Sequence, residues 1–163
     1  MGTQGRKIVS LDLKVLLKQL NKAFADEWLA YYQYWVGAKV AQGRMRGIVA
    51  KELEEHAGEE LEHAGMLADR IAQLGGTPLL KPEDWAKETS CGYDTPSNPE
   101  TKALLAQNIK GEQCAIVTYK KLLDMVRGKD DITEKIVLEI LEDEVEHEED
   151  LQAMLEDMKT PPR

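Results

Sequence analysis

The sequence predicts an all-α fold, an antiparallel four-helix bundle with a long crossover between its second and third helices. Three observations favour it: four segments repeat apolar residues at steps of three and four, helix caps and stop signals flank them, and one connection is too long for a hairpin. The chain has 163 residues, about one domain's worth. We expect a single domain over 1–163, with an arm over 1–9, a crossover over 75–98 and a tail over 159–163.

The first two helices are expected over residues 10–41 and 44–74. Ser10 is the expected N-cap of the first, and Gly75 and Gly76 end the second as glycines beyond a helix C-terminus do. Only a few residues join the two segments. They should therefore be antiparallel neighbours.

The last two helices are expected over residues 99–127 and 131–158. Asn98 can cap the third helix, and Asp131 with Glu134 resembles a capping box for the fourth. The crossover between the two helix pairs should contain a short helical turn over 82–88. The tail is too short and too rich in proline for a fifth helix.

Each predicted helix carries one glutamate in the middle of its apolar stripe: Glu27, Glu60, Glu112 and Glu144. A buried carboxylate without a counter-charge costs several kcal/mol, so four together need cations. The chain has 3 histidines, and its lysines and arginines lie mainly off the stripes. Two divalent cations would balance the four negative charges.

Two of the glutamates belong to a Glu-x-x-His motif, which places both side chains on one helix face. The second half of the chain repeats the first at a spacing of 84 to 85 residues. Two such motifs plus one glutamate from each remaining helix form the known pattern of a dinuclear metal site in a four-helix bundle. The predicted catalytic metal ligands are Glu60 and Glu144 as bridges, His63 and His147 as one imidazole each, and Glu27 and Glu112 as terminal carboxylates.

An oxygen-rich site with two imidazoles suits iron or manganese, and zinc can substitute. We expect two iron ions per subunit, because two Fe(II) can deliver the two electrons that reduce one peroxide. A lone Glu-x-x-His on a charged helix is weak evidence. Six such residues, in phase with the apolar stripes and repeated in both halves, are much stronger evidence.

Three neighbouring side chains have open roles. His56 lies one turn before Glu60 and is either a satisfied or solvent-facing histidine or a residue that supports the ligands. Tyr31 and Tyr34 follow Glu27 on the same stripe, where they either pack in the core or provide a hydrogen bond or an electron.

The two cysteines are Cys91, in the crossover, and Cys114, two residues after Glu112. Their spacing allows a pairing, but two unrelated buried cysteines are the simpler interpretation of that spacing. The spacing alone does not decide whether the two cysteines form a disulfide.

The net charge of -9 argues against nucleic acid and against an anionic membrane as partners. No signal peptide or membrane-spanning apolar run is recognisable, which predicts a cytoplasmic protein.

The six-residue pattern resembles the ferritin-like superfamily over nearly the whole chain, specifically bacterioferritin with its di-iron site inside one subunit. The positions of Cys91 and of Cys114, in Gly111-Glu112-Gln113-Cys114, are similar to the thiol pair of the Dps-like proteins called thioferritins. The resemblance implies a ferroxidase that oxidises Fe(II), preferentially with hydrogen peroxide, and stores iron in a cage of twelve subunits. It also implies that the two cysteines form a redox thiol pair, possible as a disulfide.

Two other functions stay open at this point. One is a di-metal peroxidase, Mn catalase or oxygenase of the same superfamily. The other is a DNA-protecting structural cage, although the arm offers only Arg6 and Lys7 to phosphates, so DNA is not expected as a partner. Haem is not expected either, because neither Met45 nor Met66 stands out as its ligand.

Overall fold

Four long helices form the bundle in the computed structural model, which describes residues 2–159. This confirms the predicted all-α four-helix bundle with a long crossover. The helices are α1 (Thr3–Lys7), α2 (Leu13–Val40), α3 (Arg46–Gln73), α4 (Pro82–Glu88), α5 (Thr101–Val126) and α6 (Asp131–Asp157).

Two apolar cores lie on either side of one polar level. Helix α2 packs along α3, and α5 packs along α6. One core contains Leu20 of α2 and Ile71 of α3, and the other contains Tyr34 of α2 and Leu53 of α3. On every long helix the central glutamate falls between the residues of the two cores. The four glutamates therefore meet at one height in the bundle.

The start of α2 differs from the prediction. Asp12, not Ser10, is the N-cap, and its side chain accepts hydrogen bonds from the backbone N–H of Lys14 at 2.8 Å and of Val15 at 3.4 Å. The backbone N–H of Ser10 instead donates to the carbonyl of Lys129 at 2.8 Å. This contact with a distant part of the chain holds Ser10 outside the helix.

Helix α5 starts two residues later than predicted, whereas α6 starts at Asp131 as predicted but has a different N-cap. Asn98 accepts a hydrogen bond from the backbone N–H of Glu100 at 3.1 Å, so it shapes the turn before α5 instead of capping it. Asp130 caps α6 through the backbone N–H of Thr133 at 3.1 Å. The predicted capping box is absent from this start, because Glu134 accepts from the backbone N–H of Gly128 at 2.7 Å.

The end of α3 follows the prediction. Gly75 has a φ of 83°, in the left-handed region that glycine adopts without strain, and Gly76 donates its backbone N–H to the carbonyl of Ile71 at 2.9 Å. The crossover contains the expected short helix, α4, which packs against α2.

The N-terminal arm contains α1, which the sequence did not predict. The tail prediction falls almost wholly on residues 160–163, outside the described residues. Within 2–159, no helix is long and apolar enough to cross a membrane. The cytoplasmic location stays a prediction.

Candidate metal centre

The six predicted ligands lie together in the middle of the bundle. Each of their side chains comes from the centre of a long helix, and each residue is at most 3% exposed. They fall into two groups of four that could each hold a metal ion. The two groups share Glu60 and Glu144.

The first group surrounds the Nδ1 atom of His63. This atom lies 3.4 Å from Glu60 Oε2, 3.6 Å from Glu27 Oε2 and 3.6 Å from Glu144 Oε1. One imidazole nitrogen and three carboxylates from three helices thus converge on a single point.

The second group repeats this arrangement around the Nδ1 atom of His147. That atom lies 3.6 Å from Glu60 Oε1, 3.6 Å from Glu144 Oε2 and 4.0 Å from Glu112 Oε2. Glu60 and Glu144 therefore direct one oxygen towards each histidine, which is the geometry that a bridging carboxylate requires. The assignment of the six residues as ligands stays a prediction.

The donor atoms fit a pair of divalent cations. Within the described part of the chain, no hydrogen-bond partner is found for Nδ1 of His63 or His147, for Oε2 of Glu27 and Glu60, or for either oxygen of Glu144. Buried polar atoms of this kind are normally satisfied, so a cluster of them directed at one point indicates a ligand. Carboxylate oxygens with imidazole nitrogens suit iron, manganese or zinc.

The pKa values of the centre show how strongly these charges interact. Burial raises the pKa of Glu27, and the nearby charge of Glu60 raises it further. The pKa of Glu112 is raised in the same way, by burial and then by the charge of Glu144. Burial lowers the pKa of His147, but contacts with Glu144 and Glu60 outweigh it and raise the pKa to about 12. Burial acts against the ionised form of Glu60 too, yet His147 and His63 hold its pKa below the usual range. Divalent cations would replace the protons that these groups hold.

Each of the two histidines also contacts a further carboxylate through its outer nitrogen, Nε2. The Nε2 atom of His147 lies 2.8 Å from Glu59 Oε2, and that of His63 lies 3.0 Å from Asp143 Oδ2. Such a partner orients a metal-binding imidazole with Nδ1 facing inwards. Sequence reasoning missed this pair, although an acid directly precedes Glu60 and Glu144 in both halves of the repeat.

Two tyrosines hydrogen-bond to the terminal glutamates across the bundle. Tyr34 donates to Glu112, and Tyr119 donates to Glu27. Of the two roles considered for Tyr34, the structure shows the hydrogen bond to the centre. Tyr31 instead packs edge-on against the Trp28 ring, with ring centroids 5.9 Å apart. Tyr119 was not predicted. The repeat contained the signal, because each tyrosine follows the glutamate of its own helix by seven residues.

His56 is buried beside the centre, at 3% exposure, and is not a solvent-facing histidine. Its ring stacks on that of His147, with centroids 4.1 Å apart and an interplanar angle of 20°. Burial, then the charge of His147, lowers the pKa of His56 to about 3, so the ring is neutral near pH 7.

Cys91 and Cys114 form a disulfide that joins the crossover to α5, with Cα atoms 5.8 Å apart. Asp26, next to Glu27, holds this part of the crossover by accepting from the backbone N–H groups of Ser90 at 2.8 Å and Cys91 at 2.9 Å. Asp26 was not predicted, since its role depends on where the crossover passes.

The centre faces two openings. A cavity of about 200 Å³ lies between α2 and α5 beneath the crossover, and its lining includes Cys91, Tyr34 and four of the predicted ligands. A cleft of about 380 Å³ lies between α3 and α6, and its lining includes His56, His147 and seven acidic residues. The centre is thus bordered by a cavity on two different sides of the bundle.

Comparison with known proteins agrees with this geometry. Residues 17–160 match the model of the ferritin-like domain. The chain belongs to the ferritin-like family. It is 33% identical over 154 residues to a DNA protection during starvation protein of Pyrococcus furiosus, a match that covers 91% of this chain and 82% of the relative. It is 28% identical over 145 residues to the bacterioferritin of Rhodobacter capsulatus, across 88% and 84% of the two chains.

Among solved structures, this ferritin-like chain is similar to a dodecameric thioferritin, the bacterioferritin-related protein of Bacteroides fragilis. The two superpose with a TM-score of 0.95 at 47% identity, over 97% of this chain and 95% of the other. The Dps of Thermosynechococcus elongatus shares the fold, with a TM-score of 0.82 at 18% identity. The resemblance to Dps-like thioferritins that the sequence predicted is confirmed.

Proposed function

We propose that this ferritin-like protein is a ferroxidase that oxidises Fe(II), with hydrogen peroxide as the oxidant, and stores the product in an oligomeric cage. The observation that carries the proposal is the pair of ligand groups that share Glu60 and Glu144. Two cations held by common carboxylates lie close enough to deliver two electrons to one acceptor.

Fe(II) is the substrate in this reaction, and it supplies the electrons. The balanced equation is 2 Fe(II) + H2O2 + 2 H⁺ → 2 Fe(III) + 2 H2O. His63 and His147 each hold one side of the centre, and Glu27 and Glu112 close its two ends. Tyr119 and Tyr34 keep these end glutamates in position by hydrogen bonds.

The surroundings of the centre favour a small oxidant. The cavity of about 200 Å³ beneath the crossover has room for peroxide together with several waters. It is smaller than the pockets of roughly 300–1,000 Å³ that usually hold organic ligands. An organic substrate, as an oxygenase would need, has less support from this volume. The Cys91–Cys114 disulfide borders the same cavity, and we propose that it acts as a redox accessory to the centre.

Storage in a cage of twelve subunits is supported by the similarity to the dodecameric thioferritin. Iron is the proposed native metal, with manganese or zinc as substitutes at the same ligands. DNA binding receives no support from the net charge of -9, although the relative in Pyrococcus furiosus carries a DNA-protection name. A gel shift at physiological salt separates the two functions.

The test is a titration of Fe(II)-loaded protein with peroxide under anaerobic conditions. The proposal expects about two Fe(II) oxidised per peroxide and an iron core inside a large particle. Disproportionation of peroxide without added Fe(II) would indicate a catalase instead. A monomer in light scattering would contradict storage.

A further inference from the structure

The Cys91–Cys114 disulfide lies between two spaces in the groove that α2 and α5 form. Cys91 lines the cavity of about 200 Å³ next to the di-metal centre, whereas Cys114 lines a second space of about 550 Å³ farther along the groove. The two linings share none of the described residues. The two halves of the disulfide therefore face different surroundings.

The second space, the basic cleft, has a charge opposite to that of the whole chain. Lys22 of α2 and Lys121 of α5 line it, and none of its described lining residues is an acid. The chain as a whole has a net charge of -9. Local positive charge in a cleft attracts an anion, and a volume of about 550 Å³ is typical of a pocket for a small organic ligand.

The contacts of Cys91 favour breakage of the S–S bond from the side of Cys114. Oγ1 of Thr118 lies 3.7 Å from Sγ of Cys91. A disulfide sulfur has no hydrogen, so the hydroxyl is the donor in this contact. The same hydrogen bond would stabilise the electron pair that Cys91 receives when the bond breaks. Asp26 accepts from the backbone N–H of Cys91 at 2.9 Å, which would hold the freed Cys91 beside its cavity.

We propose that the basic cleft binds a small, negatively charged thiol, which reduces the disulfide by attacking Sγ of Cys114. The S–S bond breaks, its electron pair leaves with Cys91, and a mixed disulfide forms between the thiol and Cys114. A second thiol molecule then releases Cys114. The net reaction is protein disulfide + 2 RSH → Cys91–SH + Cys114–SH + RSSR, in which the small thiols lose two electrons and the protein gains two.

Reduction through the basic cleft leaves the free thiol of Cys91 in the cavity beneath the crossover. Peroxide in that cavity can restore the disulfide: Cys91–SH + Cys114–SH + H2O2 → disulfide + 2 H2O. The reductant and the oxidant thus reach different halves of the disulfide. This second half of the cycle rests on the proposed function, whereas reduction by the thiol does not.

The experiment compares three thiols as reductants of the whole oxidised protein, without metal or peroxide: anionic 2-mercaptoethanesulfonate, neutral 2-mercaptoethanol and cationic cysteamine. Alkylation and mass spectrometry follow the loss of the disulfide. Each rate is divided by the rate of the same thiol with a small neutral disulfide, which removes differences in intrinsic reactivity. The anionic thiol should react about fivefold faster than the neutral one, and salt should remove this preference. The net charge of -9 alone would give the opposite order.

The lysines are tested by Lys22→Gln together with Lys121→Gln, which should abolish the preference for the anionic thiol. The matched control is Lys14→Gln together with Lys102→Gln, which removes the same charge from the same two helices outside the cleft. The control should retain the preference. A wild type without the preference, or a control that loses it equally, overturns the proposal.

The site of attack is tested by peptide mapping of the acid-quenched mixed disulfide. The small thiol should be attached to Cys114 and the alkyl group to Cys91, and the reverse pattern overturns the proposal. Thr118→Val should slow all three thiols alike, by about threefold, because it removes the donor to Cys91. Failure of the ferroxidase function is recognised separately, because none of these measurements contains iron or peroxide.

Discussion

Glu59→Gln and Asp143→Asn test whether the carboxylates that contact the two histidines support metal binding. Each substitution removes the carboxylate at Nε2 of one histidine and leaves all six predicted ligands in place. The contacts to be lost are 2.8 Å at His147 and 3.0 Å at His63. Loss of such a partner weakens metal binding by about 10- to 100-fold, which corresponds to about 1.4–2.8 kcal/mol. Stability should change little, since the Glu59 and Asp143 side chains are 52% and 43% exposed.

The assay is Zn²⁺ affinity by competition with a chromophoric chelator, together with urea unfolding of the chelator-treated protein. The matched controls are Glu62→Gln and Glu146→Gln, which are repeat-related acids in the same cleft. Each test variant should weaken one of the two binding steps, and the controls should weaken neither. Equal weakening in tests and controls would contradict a specific role for Glu59 and Asp143, because the total charge of the cleft would then explain the effect.

Three more outcomes follow from the same structure. Tyr119→Phe removes the hydroxyl that donates to Glu27 and should lower Fe(II) affinity about tenfold. Tyr31→Phe is the control and should leave the affinity unchanged. Anaerobic Fe(II) titration of the two variants measures both affinities. Replacing Cys91 and Cys114 by serine opens a loop with a sequence separation of 23 and should reduce the unfolding free energy by about 3 kcal/mol in urea melts, whereas an unchanged value would refute the cross-link. The pKa of His147 is raised to about 12 in the folded protein, so protonation of this histidine stabilises the fold. That stabilisation is fully present below the ordinary histidine pKa and is lost gradually as the pH rises above it. The Tm of chelator-treated protein should therefore fall between about pH 7 and pH 9, and saturating Zn²⁺ should abolish the slope.

The bundle and the six converging residues could be predicted from the sequence because both depend on local periodicity. A glutamate in the middle of an apolar stripe signals a buried charge on each helix separately, so no contact between helices had to be known. The two Glu-x-x-His motifs then fixed which helices carry the imidazoles.

The contacts that escaped prediction all cross between elements. Tyr119 bonds to Glu27 on another helix, and Asp26 holds the crossover by backbone bonds, so both depend on how distant segments meet. The N-cap of α2 was misassigned for the same reason, since a contact to Lys129 keeps Ser10 out of the helix. Spacing alone could not decide the pairing of the cysteines, because it depends on the path of the crossover.

Anomalous diffraction at the iron edge, from crystals loaded anaerobically with Fe(II), would locate the metal ions directly. Two neighbouring iron peaks are expected in every subunit, one beside Nδ1 of His63 and one beside Nδ1 of His147, with Glu60 and Glu144 contacting both. A single peak, or iron bound only outside this group of residues, would contradict this expectation.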